Sequence, residues 1–166
     1  MTSGDLVIIC APNYVDSLPA PLIFLMENLR DTLGSGSLAG IRLMAVVHSG
    51  YPEPQQRKPG LEICRFFAQT MVMEWCGGLG FGGTSPINGQ PLETSGPFGK
   101  RLLPVLDRTS AQIASGNVAK TQELVLEDVS SMPLPAWMVS IMMNAMTKRK
   151  ARKEKQDLRT QPYRVD

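Results

Sequence analysis

The strongest constraint in this sequence is the run Leu6–Ala11 (LVIICA), apolar at every position and rich in branched side chains. Strands buried on both faces read this way, as in parallel sheets, whereas a strand with one wet face alternates. The run breaks at once into PNYVDSLPAP, whose prolines and turn formers cannot extend a ladder. Parallel strands need a crossover, usually a helix. Pro19 and Pro21 suit a first helical turn, and Leu22, Leu25, Met26, Leu29 and Leu33 then recur at helical spacing up to a break at Gly34–Ser37.

The pattern repeats. Ile41–Val47 (IRLMAVV) is a second strand ending in the loop HSGYPEPQQRKPG. Leu61–Trp75 (LEICRFFAQTMVMEW) is a second helix with Leu61, Cys64, Phe67 or Ala68, Met71 and Trp75 on its inner side. Gly77–Gly83 (GGLGFGG) is short and glycine-rich, which suits a third strand packed closely against its neighbours. The turn-rich loop TSPINGQPLETSGP leads to a third helix over Phe98–Ser115, closed by Gly116. A βαβαβα order with short connections predicts parallel strands, right-handed crossovers and helices on the faces of the sheet.

Beyond Gly116 the pattern weakens. Val118–Asp128 reads as a further turn or two of helix, SSMPLP as a linker, and Ala136–Gln156 as a last helix, apolar at first (Trp137, Ile141, Met142, Ala145) and basic afterwards. The stretch MVSIMMNAM is expected to face a core. The expected division is a partial α/β domain over residues 1–116 and a helical extension with a basic end over 117–166.

At 166 residues the length suits one domain, or one domain plus an appendage, and 43% hydrophobic with 19% charged residues is ordinary globular composition. Cys10, Cys64 and Cys76 are odd in number and lack metal-binding or CxxC spacing, which suggests reduced thiols in a cytoplasmic protein. No apolar run approaches the roughly 18 residues of a membrane span. The segment Lys148–Lys155 (KRKARKEK) holds six of the 17 basic residues and one of the 15 acidic ones, so the rest of the chain is mildly acidic. Neither nucleic acid nor a membrane is therefore an expected partner, although this segment is the best candidate for either.

Ligands of open parallel sheets bind outside the carboxyl ends of the strands. The loops there are Pro12–Leu18, His48–Lys58 and Thr84–Pro97, and the first two carry Tyr14 and Tyr51. Each ring either stacks on a flat heterocycle or packs as an ordinary loop residue; the residues alone leave both readings standing. Gly78, Gly80 and Gly83 satisfy GxGxxG, but they lie inside a strand rather than at a strand-to-helix turn, so no phosphate loop is inferred. His48, the single histidine, has no nucleophile elbow and no orienting carboxylate. No catalytic side chain and no metal site are expected.

Three stretches, DLVIICAPNYVDSLPAPLIFLMENL, AVVHSGYPEPQQ and ICRFFAQTMVMEWCGGLGFGG, with a closing QPYRV, resemble the later half of flavodoxin-like NAD(P)H-dependent FMN reductases and related flavin or quinone oxidoreductases. The likeness runs from about Gly4 to Gly116. It implies that Pro12, Asn13, Tyr14 and Val15 line one side of the FMN ring, while Ser49, Gly50 and Tyr51 offer backbone to its polar edge. It also implies NAD(P)H as co-substrate, with hydride passing to the flavin and electrons onward to a quinone or free flavin, so that the flavin carries the chemistry.

In the flavodoxin-like strand order 2-1-3-4-5, this sequence corresponds to strands 3-4-5, and the family's phosphate-holding first half has no counterpart in it. The strand Leu6–Ala11 is then expected to expose an open edge. Three arrangements follow from the resemblance: a truncated reading of a longer flavoprotein, a sheet completed by a second copy or a complementing chain, or an edge covered by the C-terminal segment. The alternative function is that of a non-enzymatic interaction protein pairing through that edge.

Overall fold

The structure is a computed structural model describing residues 5–132 and 134–153. Its elements are β1 (Leu6–Pro12), α1 (Ala20–Leu33), β2 (Arg42–His48), α2 (Lys58–Thr70), β3 (Glu74–Gly82), α3 (Gly96–Ala114), β4 (Val125–Ser130) and α4 (Ala136–Lys153). The four strands form one all-parallel sheet in the order β1-β2-β3-β4. The chain divides into two compact units, Met1–Pro133 with the sheet and Leu134–Asp166 with α4. The first unit therefore extends past the expected boundary at residue 116, because β4 belongs to the sheet.

Alternate residues of each strand feed opposite cores. Leu43, Ala45, Val47 and Trp75 pack with Met26 of α1 and with Leu61, Cys64 and Ala68 of α2. Met44, Cys76, Leu79 and Phe81 pack with Leu102 and Val105 of α3. Thus α1 and α2 cover one face and α3 the other. Since strand order advances in one direction, the β3–α3–β4 crossover has the opposite hand to the two before it; the sequence pattern stopped at α3 and held no expectation for this third crossover. The packing gives the reason. Beyond Trp75, β3 offers the first face only Gly78, Gly80 and Gly82, closely covered by Leu61, Arg57 and Asp128, whereas Cys76, Leu79 and Phe81 point to the second face and seat α3.

Several local readings shift. Trp75 lies in β3 rather than in α2, because the helix ends at Thr70. Val72, at φ 59, takes the left-handed position, its N–H donating to Gln69 O at 3.2 Å while Met73 N–H donates to Ala68 O at 2.8 Å. That pair of bonds is a Schellman closure without its usual glycine. The segment expected as helix over 118–128 ends instead in β4, whose start is fixed by Trp75 Nε1–H donating to Glu123 O at 2.8 Å. The expected helical positions Leu25 and Leu33 are exposed, while Met26 is buried.

β1 is an edge strand, and its expected burial on both faces is not realised: Val7, Ile8 and Cys10 are exposed. In α4, Trp137, Ile141 and Met142 are exposed rather than core-facing. The residues Glu154–Gln156 assigned to that helix, and the closing Pro162-Tyr163, lie outside the described residues. No helix among the described residues is long and apolar enough to cross a membrane.

Candidate functional site

Parallel pairing brings the carboxyl ends of β1, β2 and β3 side by side. Asn13 N–H donates to His48 O at 2.7 Å, and Ser49 N–H donates to Phe81 O at 2.8 Å, so the three exit loops start from one hydrogen-bonded row. The first loop then closes on itself: Tyr14 N–H donates to Ser17 O and Ser17 N–H to Tyr14 O, at 2.8 and 3.2 Å. The two residues between, Val15 and Asp16, both hold positive φ, 49° and 59°. A tight turn with two left-handed residues favours asparagine and glycine; Val15 is a strained substitute and is 96% exposed at the tip.

The second loop is held from inside. Ser49 is buried, and its hydroxyl accepts from Tyr51 N–H at 3.0 Å and donates to Tyr51 O at 3.1 Å. Ser49 O accepts from both Thr84 N–H and Thr84 Oγ1. Tyr51 O also accepts from Gly83 N–H at 2.9 Å and from Arg57 Nη1 at 3.0 Å. The backbone of Ser49 and Tyr51 is thus spent on the loop itself. Gly50 stands apart: its carbonyl meets only the hydroxyl of Ser85, at a weak 3.4 Å, among the described residues.

What the mouth presents outward is consequently side-chain surface. Tyr14 and Tyr51 are 63% and 64% exposed, on neighbouring loops. Asn13 behaves differently, its Oδ1 being buried without a hydrogen-bond partner among the described residues, next to Gly60 at the start of α2. Of the seven residues expected to surround a ring, Tyr14, Val15, Gly50 and Tyr51 are outward elements, Pro12 is the half-buried last residue of β1, and Asn13 and Ser49 set the loops in place.

Arg57 and Asp128 escape a reading of sequence alone. Arg57 is fully buried, and its Nε donates to Asp128 Oδ2 at 2.9 Å while Nη2 reaches Oδ1. With its bond to Tyr51 O, this guanidinium ties the second loop to the end of β4. The strand glycines make room for it: a Cβ on Gly80 would strike the Asp128 carboxylate, and one on Gly82 the Arg57 guanidinium. The GxGxxG run is a seat for a buried ion pair and for Leu61, which lies against Gly78.

On the α3 face an open apolar cleft of about 330 Å³ is lined by residues that include Val46, Phe81, Leu102 and Leu106, together with Cys10 and His48. None of the seven expected residues forms its wall. Burial pushes the His48 pKa down, and Thr84 Oγ1 lies 3.5 Å from Nδ1. Among the described residues no group of His, Cys, Asp and Glu could hold a metal ion. Comparison with protein-family models, with curated proteins and with solved structures finds no match to this chain. Function is therefore read from the arrangement itself.

Proposed function

We propose that the sheet-bearing unit is a flavodoxin-like domain of the FMN-dependent NAD(P)H oxidoreductase type, acting as a flavin or quinone reductase where a complete flavin site is assembled. One observation carries the reading: at the carboxyl mouth of an all-parallel sheet, the internally braced loops after the adjacent strands β1 and β2 each carry an exposed tyrosine, and the second also an exposed glycine, Gly50. Tyr14 and Val15 would cover one face of the isoalloxazine, Tyr51 would border it, and the Gly50 peptide would meet its polar edge. Pro12, Asn13 and Ser49 would hold these groups in place. When bound, the flavin supplies the redox chemistry, taking hydride from a nicotinamide.

None of the seven residues is cationic. They hold the ring and leave the FMN phosphate to groups elsewhere, whether further along the same polypeptide or on another chain. The test is to titrate purified protein with FMN and with riboflavin, following flavin fluorescence and NAD(P)H oxidation. Quenching by both flavins, weakened at least tenfold in Tyr14→Ala and Tyr51→Ala, is expected. A colourless protein indifferent to either flavin would overturn the reading.

A second reading rests on a separate observation. Among the described residues β1 leaves one edge open, carries no charged residue over Leu6–Pro12, and exposes Val7 and Ile8. Natural edges are usually blunted by charge, proline or a bulge. A non-enzymatic protein could use such an edge to add strands from a second copy or from a complementing chain. A colourless dimer, dissociated by Ile8→Lys, would favour this reading.

A further inference from the structure

We propose that α4 is an interfacial helix that binds anionic lipid surfaces. Its first three turns expose Trp137, Met138, Ile141, Met142 and Met146. At 100° per residue these fall within an arc of roughly 180°, with Trp137 and Ile141 in one row and Met138, Met142 and Met146 in the next. Ser140, Asn144 and Thr147 fall on the opposite side, together with Val139 and Ala151, which are buried. The last turns then present Lys148, Arg149, Arg152 and Lys153, all exposed. From Leu134 to Lys153 the sequence has no carboxylate.

Contiguous exposed apolar side chains of this size mark an interaction surface, and the adjoining cations specify an anionic one. Two features favour lipid over a protein groove. A groove-bound helix typically buries a stripe of about 100°, whereas this apolar arc is nearly twice as wide and suits a flat, uniform medium. The charges are also segregated along the axis, so the methionine-rich part can enter the acyl boundary while the basic end stays among phosphates. Tryptophan is at home at that boundary, and clusters of four or more Lys/Arg beside an apolar helix read as acidic-lipid contacts. The helix lies at the surface and does not span it.

The test is sedimentation of the purified full chain with phosphatidylcholine vesicles, with and without about 30% phosphatidylserine. Binding to the phosphatidylserine vesicles is expected, falling steeply as salt is raised. Each Lys or Arg changed to Gln should weaken it about fivefold, and the four together by more than a hundredfold. Trp137 emission should shift to shorter wavelength on binding, and Trp137→Ser or Ile141→Ser should reduce binding, with circular dichroism confirming retained helix. Equal binding to neutral vesicles, no binding to either, or unchanged binding in the four-fold Gln variant would overturn the proposal. Binding to polyglutamate in preference to phosphatidylserine vesicles would overturn it as well, assigning the surface to an acidic protein partner.

Discussion

Arg57 and Asp128 meet across the glycines of β3, the guanidinium gripping both oxygens of the carboxylate. Arg57 enters from the start of α2 and Asp128 from β4, so the pair joins the mouth loop to the edge of the sheet. Breaking a buried ion pair by removing one partner leaves an uncompensated charge and costs about 3–5 kcal/mol. Asp128→Ala is expected to lower stability by that amount in urea denaturation. Gly80→Ala and Gly82→Ala should also destabilise, since each Cβ displaces one member of the pair. Replacing both charges with apolar residues of similar volume should cost less than the single changes added together.

Stability should depend on pH through His48. Burial holds its pKa below the ordinary 6.5, so the folded protein binds a proton there only at lower pH than the unfolded chain does. Between those two values the unfolded state carries more protons, and stability falls as pH is lowered through that window. Above 6.5 both states are neutral at this position and its contribution is flat. Urea midpoints measured from about pH 5 to 8 should show this acid-side loss, and His48→Gln should reduce it.

The end of α2 stores strain. Val72 is branched, exposed and at positive φ, a conformation that glycine adopts freely. Val72→Gly removes a side chain that is more than half exposed and is expected to raise stability by about 1 kcal/mol, measurable as a higher urea midpoint. A decrease would mean that Val72 makes a packing contribution larger than its strain.

The same residue explains why part of the fold is hidden in the sequence. Periodicity runs smoothly from Leu61 to Trp75 because no glycine marks the turn at Val72, and so a strand residue passes for a helical one. β4 is hidden for an electrostatic reason: Glu127 and Asp128 look like solvated positions, but Arg108 and Arg57, distant in sequence, neutralise them. In α4, apolar spacing shows which residues share a face and not whether that face is covered. The loops of the candidate site were legible because parallel strands force their carboxyl ends together. The commitment of the Ser49 and Tyr51 backbone was not, since it depends on Thr84 and Arg57 arriving from other elements.

The three thiols should react at very different rates. Cys64 is buried, and desolvation pushes its pKa up to about 12; burial raises that of Cys76 as well. Thiolate is the reactive form, so both should be inert in the folded state. Cys10 is exposed on β1. A disulfide reagent added to native protein should label Cys10 rapidly, and denaturant should release the other two. Slow labelling of Cys10 would instead indicate that the cleft on the α3 face, which Cys10 lines, is covered in solution.

Ser49 tests whether the mouth is preorganised. Its hydroxyl accepts from one Tyr51 backbone group and donates to the other, while facing no solvent itself. Ser49→Ala leaves Tyr51 N–H unsatisfied, an expected loss of about 1–2 kcal/mol. If Tyr51 borders a bound ring, the freed loop should also weaken flavin binding several-fold, although residue 49 contributes no outward surface. Ser49→Thr keeps the hydroxyl and should restore binding if the extra methyl fits. Flavin titrations on both variants, with urea unfolding measured in parallel, separate the two effects. Equal destabilisation in both variants, with flavin affinity unchanged in either, would show that the Tyr51 loop plays no part in holding the ring.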